Sequence, residues 1–234
     1  MKTSLLLTAC LLLMATAHAQ HHHVNAGIID ANGNGKPDIG EQLDFVNRAS
    51  YNTASGFVLE LTAKSSGRYA GTFSGNITFA ALAAGPDVGG PEPGHAALGT
   101  KIVMQLVSVS GPAGATFSFW ESNGSSAAIS LGTGQIPGMP QLWDLSENDG
   151  LPGDDPYGHI HNRQFSVDQP GTYIATFRLI DVSTNGPGGS SIHTPSEPFQ
   201  MKFVAVPEPA TWVLLGAALT LMIVRSGLRQ AQRR

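Results

Sequence analysis

The sequence predicts an all-β protein: a single antiparallel β-sandwich, flanked by an N-terminal signal peptide and a C-terminal transmembrane helix. Three observations predict this. Residues alternate in period two over short runs, with Tyr173, Ala175, Phe177 and Leu179 facing one way and Ile174, Thr176, Arg178 and Ile180 the other. The breaks between runs are rich in Gly, Pro, Asn and Ser, as in Gly85-Pro86-Asp87 and Asn185-Gly186-Pro187-Gly188-Gly189. Between the two ends of the chain no long stretch carries a helical period, and about eight strands separated by turn clusters favour a sandwich.

Residues 1–19 read as the signal peptide. Lys2 supplies the positive start, Leu5 to Met14 the apolar centre, and Ala17-His18-Ala19 the small-x-small cleavage site. Leu7-Thr8-Ala9-Cys10 also matches a lipobox, but it lies very early and the apolar run continues through Leu11-Leu12-Leu13. Cys10 is the only cysteine, so the exported body has neither disulfides nor thiolate metal sites. That body, residues 20–205, is long enough for one domain with a real core. It carries 8 Lys and Arg against 16 Asp and Glu, a net charge of −8. An acidic body argues against nucleic acid, whose affinity comes from cationic contacts to phosphate, and suits cation binding.

The strand expectations run in order from Leu43 to Val46, Phe57 to Thr62, Tyr69 to Phe73, Ile77 to Leu82 and Lys101 to Val109. They continue with Thr116 to Trp120, Gln164 to Val167, Tyr173 to Val182 and Phe199 to Val204. Phe119, Phe165, Tyr173, Phe177 and Phe203 are the expected core. Gly132 to Tyr157 is too long for an ordinary hairpin loop, and such loops often carry function.

Two patterns point to metals. The first is histidine. An extended His159-Ile160-His161 sets two imidazoles on one face, ~6.5–7 Å apart along the chain, within reach of one ion. His21, His22 and His23 lie just behind the predicted cleavage site, and His193 sits in Ile192-His193-Thr194-Pro195-Ser196. The expected metal ligands are His21, His23, His159, His161 and His193, with Glu121 as a candidate carboxylate partner. The second is Asp30-x-Asn32-x-Asn34-Gly35 followed by Glu41, a calcium-loop spacing. There Asp30, Asn32, Asn34, Lys36 (through its carbonyl), Asp38 and Glu41 would surround Ca2+. Pro37 replaces the usual hydrophobic residue and neither flank is helical, so only the loop fits. A turn leading into the strand at Leu43 is the plainer reading.

The C-terminal segment, residues 206–234, is the most specific signal. Val206-Pro207-Glu208-Pro209 precedes an apolar run from Ala210 to Val224, and then Arg225, Arg229, Arg233 and Arg234. The run reaches only ~22 Å as a helix, short of a comfortable bilayer span, and the arginines favour a cytoplasmic C-terminus. This order of motif, helix and basic tail resembles the PEP-CTERM sorting signal, with Pro207, Glu208 and Pro209 as the sorting motif. The resemblance implies export in a Gram-negative bacterium. It also implies transient anchoring in the inner membrane, processing by an exosortase, and a final place at the cell surface or in the extracellular matrix.

The body has its own resemblance. His21 to Gly27, Phe119-Trp120-Glu121, Tyr157 to Arg163, Pro170-Gly171-Thr172-Tyr173 and Ile192 to Ser196 resemble the Zur-repressed PEP-CTERM proteins. His159 to Phe177 is similar to the His-x-His…Pro-Gly-x-Tyr domain of surface-anchored proteins encoded beside metal ABC transporters, with Gln164 where that domain often has Trp. Repression by a zinc regulator implies zinc capture or delivery outside the cytoplasm, with Zn2+ as the cofactor. No Gly-x-Ser-x-Gly elbow, His-Glu-x-x-His helix or phosphate loop appears, so no enzyme activity is expected. The implied partners are exosortase, the secretion machinery, the inner membrane, and a metal transporter or extracellular polysaccharide, but no nucleic acid.

Two other readings stay open. One is an adhesive module of the biofilm matrix with incidental histidines. The other is a cupin-like metalloenzyme, because Gly153 and His159-x-His161 match half of a cupin motif. The required Glu is missing, since its positions hold Phe165 and Ser166.

Overall fold

The computed structural model describes residues 22–84 and 93–207. The signal peptide, His21, Glu208, Pro209 and the C-terminal apolar run lie outside these residues. Among the described residues no helix is long and apolar enough to cross a membrane.

The described residues are all-β, built of twelve strands. These are β1 (His23–Ile28), β2 (Leu43–Phe45), β3 (Val58–Ala63), β4 (Phe73–Gly75), β5 (Thr78–Ala81) and β6 (Ile102–Ser110). They continue with β7 (Thr116–Trp120), β8 (Ile129–Gly132), β9 (Gln141–Asp144), β10 (Gln164–Val167), β11 (Gly171–Asp181) and β12 (Phe199–Val206). Nine form one sheet in the order β8-β7-β10-β4-β3-β12-β11-β6-β9, and three form a second sheet, β2-β1-β5.

The period-two pattern explains β11. Tyr173, Ala175, Phe177 and Leu179 are fully buried, while Thr172 is exposed and Ile174, Arg178 and Ile180 are half-buried; Thr176 departs from the pattern and is buried at a register shift against β6. The long sheet brings its two flanks face to face. Phe119 of β7 stacks on Trp143 of β9 at 4.3 Å, although these strands lie near opposite ends of the strand order. Phe117 and Phe165 meet Phe203 between the layers, and Phe79 of the small sheet joins them against Phe165 and Phe177. Each fully buried ring contributes roughly 1.5–3 kcal/mol. All five residues expected in the core are at most 1% exposed. Tyr173 also satisfies its hydroxyl by donating to Gln169 O at 2.7 Å.

Four expectations need correction. The sheets are not purely antiparallel: β1 pairs with β5, and β12 with β3, in parallel. Tyr69 to Phe73 is not a strand; Gly67–Tyr69 is a 3-10 turn and β4 starts at Phe73. The long loop from Gly132 to Tyr157 contains β9. The strands β1 and β8 were not expected. Yet β1 carries a legible alternation at its start, with Val24, Ala26 and Ile28 buried and His23 and Asn25 half-buried before and after Val24.

Candidate metal centre

The histidines meet because β5 has a different neighbour on each edge. On one edge it pairs with β1, placing His23 opposite Thr78. On the other, Ala81 N–H donates to Gly158 O at 2.8 Å and Gly158 N–H returns to Ala81 O at 3.2 Å. The chain after Gly158 therefore starts beside β5, one strand away from β1 and His23. Gly158 is required there by close approach: a Cβ at this position would collide with the Leu145 carbonyl oxygen. After His161 the chain turns into β10 through Asn162, at φ 62°. Asn tolerates this left-handed conformation better than most residues.

Three imidazoles result. His159 and His161 have ring centroids 4.3 Å apart, His23 and His159 4.6 Å, and His23 and His161 6.4 Å. Two imidazoles on one tetrahedral zinc, with Zn–N ~2.0–2.1 Å, have centroids on the order of 5 Å apart, and the three separations bracket that value. His159 Nε2 is buried without a hydrogen-bond partner, which is costly for a polar atom unless something else engages it. Burial holds the His159 pKa below its ordinary value of 6.5, and the neighbouring His161 and His23 push it the same way, against Glu147. A neutral imidazole is the form that binds metal. Glu147 accepts the His159 backbone N–H at 2.7 Å and so fixes the segment. These residues fit a zinc ion chemically. Among the described residues no group of three or more His, Cys, Asp or Glu side chains already has the geometry to hold a metal. The rings converge but do not form a closed cage. Closing it requires side-chain rotation, and His161, the most exposed of the three, has room for it.

Two expected ligands are placed elsewhere. His193 is 1% exposed. Its Nε2 accepts from Ala97 N–H at 3.0 Å, so Nδ1 carries the proton and meets Glu41 O at 3.2 Å. With both nitrogens held by backbone, His193 is a structural buckle and not a ligand. Burial drives its pKa below the ordinary value, against the Glu41 backbone hydrogen bond and the charges of Asp181 and Glu41. Glu121, the candidate carboxylate, grips the buried Arg163 through both oxygens, at 2.8 and 3.0 Å. Sequence reasoning gave no sign of this pair, because its members lie 42 residues apart.

The Asp30–Glu41 segment forms a tight loop around its own carboxylates. Asp30 accepts backbone N–H groups from Gly33, Asn34 and Gly35. Asn32 and Asn34 both point amide N–H groups at Asp38 Oδ2. Glu41, 9% exposed, accepts from Ala31 and Asp38 N–H. Gly33 and Gly35 take φ of 69° and 72°, values that residues with a Cβ rarely adopt.

The fold and site define an all-β domain with a three-histidine cluster at one end. Set against known proteins, the chain matches no family, no curated protein and no solved structure.

Proposed function

We propose that this is an exported, exosortase-sorted surface or extracellular protein that binds zinc through His23, His159 and His161, for capture or delivery under zinc limitation, and that it is not an enzyme. The observation that carries the metal reading is the convergence of three imidazoles from two distant segments around the unpartnered His159 Nε2. His21 lies outside the described residues and is a candidate fourth ligand by sequence alone. The order of Pro207-Glu208-Pro209, apolar run and arginines supports the sorting reading. The cupin-like alternative is weakened because Phe165 and Ser166, where its carboxylate ligand belongs, are 1% and 2% exposed within the core strand β10. The loop from Asp30 to Glu41 is proposed as a separate calcium site on its motif spacing.

The test is metal analysis of the mature chain prepared without nickel affinity steps. One zinc per chain, lost on replacing both His159 and His161 by Ala, is expected. A chain with no stoichiometric metal would leave the matrix-module reading. Sorting is tested separately: Glu208→Ala should leave unprocessed protein in the inner membrane, and release as in wild type would overturn it.

A further inference from the structure

The apolar loop between β8 and β9 is unexplained by metal binding. Ile136 is 93% exposed and Met139 75%, the two most exposed large hydrophobic side chains among the described residues. A soluble surface usually keeps such residues scattered, but these continue into a strip. Ile136 lines a groove of about 340 Å³ together with Ile174, with the polar side chains of Ser108, Ser110, Gln135, Thr176 and Gln200 around them. Ile174 pairs with Lys202, which makes Val204 its diagonal neighbour on the same outer face. Val206 follows two residues on, 48% exposed, and the chain then passes through Pro207 towards the apolar run of Ala210 to Val224.

The loop sits at the end of the domain from which the chain leaves. Gly171, which pairs with Ala205, packs on Pro112. Pro112 O accepts the Thr133 hydroxyl at 2.6 Å, and Thr133 opens the loop. Charge is distributed accordingly. Glu121, Asp144, Glu147 and Asp149 line one cleft with Ile160, beside the histidines; Arg163 and Lys101 in the same cleft pair with Glu121 and Asp144, which leaves Glu147 and Asp149 as its excess negative charge. Asp154 and Asp155 hold the neighbouring loops. The exit end has Lys64 beside Thr62, Lys202 on the strip, and Glu60 and Asp168 as nearby carboxylates.

We propose that Ile136, Met139 and the strip to Val206 form a lipid-facing surface. It lays the domain on the membrane while the chain is anchored and turns the histidine cluster and its acidic surroundings away from the bilayer. The occupant is the lipid interface, because the chain continues from this strip into the apolar run of its proposed anchor. Repulsion between the carboxylate-rich end and anionic headgroups favours the same orientation. This inference rests on the C-terminal anchor of the proposed function.

The mature chain has no cysteine, so Ile136→Cys, Met139→Cys and Leu151→Cys each give a unique labelling position. Leu151 is 60% exposed, in the acidic loops. The anchored full chain, labelled with an environment-sensitive fluorophore, is reconstituted in phosphatidylethanolamine and phosphatidylglycerol vesicles with nitroxide-bearing lipids. A blue shift and strong quenching at 136 and 139, with neither at 151, is expected. If the chain floats with the vesicles but 136 and 139 stay unquenched, the lipid-facing surface is overturned while the anchor stands. A blue shift without quenching gives the loop to a second copy and also overturns it. If the chain does not float, the anchor reading fails and the inference with it.

Discussion

His193→Ala separates a structural histidine from a metal-binding one. The substitution removes an imidazole that is 1% exposed. It leaves the half-buried Ala97 N–H without its acceptor, which costs about 1–2 kcal/mol, the lower part of the range for a fully buried donor. Glu41 O loses one donor but keeps Thr194 N–H at 3.1 Å, so little is added there. The cavity adds about 1.5 kcal/mol at ~24 cal/mol per Å3 for a ring-sized void. The expected loss is about 2.5–3.5 kcal/mol, a large fraction of a typical folding free energy of ~5–15 kcal/mol. It should appear in urea unfolding of the mature chain above pH ~7, equally with and without a zinc chelator. The pH dependence has a defined sign. The His193 pKa is lowered on folding from 6.5, so just below that value the unfolded state binds more protons. The contribution is complete above 6.5 and is lost as pH falls from there towards the folded value. His193→Gln should flatten that part of the curve. A loss under about 1 kcal/mol, or one seen only with zinc present, would refute the buckle and return His193 to the ligand set.

The other predictions follow from the same geometry. Replacing both His159 and His161 by Ala should abolish zinc binding, read by competition with a chromogenic chelator, and leave zinc-free thermal stability unchanged. Unchanged affinity would move the site to the His21–His23 run. Zinc affinity of the wild type should fall as pH drops through the histidine range near ~6.5; a flat profile would argue against imidazole ligands. Gly158→Ala should push the His-x-His segment off Leu145 and lower both stability and zinc affinity, measured in the same two assays. Glu121→Ala strands the buried Arg163 guanidinium, and about 2 kcal/mol of destabilisation is expected in denaturant, below the fully buried value because the Glu121 side chain is 39% exposed. Calcium should raise the melting temperature by mass action, and Asp30→Ala should erase that shift.

The sequence alone determined the all-β class, the core aromatics of β7, β10, β11 and β12, and the His-x-His pair, because each depends on local periodicity or short spacing. Strand alternation is set by geometry within a few residues, so Tyr173 to Leu179 could be read directly. What the sequence could not determine was which distant segments meet. His23 joins His159 and His161 only because β5 takes β1 on one edge and Gly158 on the other. The histidines so joined lie well over a hundred residues apart, and the pairings leave no local trace. The same holds for the two histidine roles. His193 and His159 both lie in short loop segments of the sequence, but tertiary packing puts one between the backbone groups of Ala97 and Glu41 and leaves the other with a buried, unpartnered nitrogen. Composition supplies imidazoles, and only the folded chain decides whether their nitrogens are used by the backbone or left for a ligand.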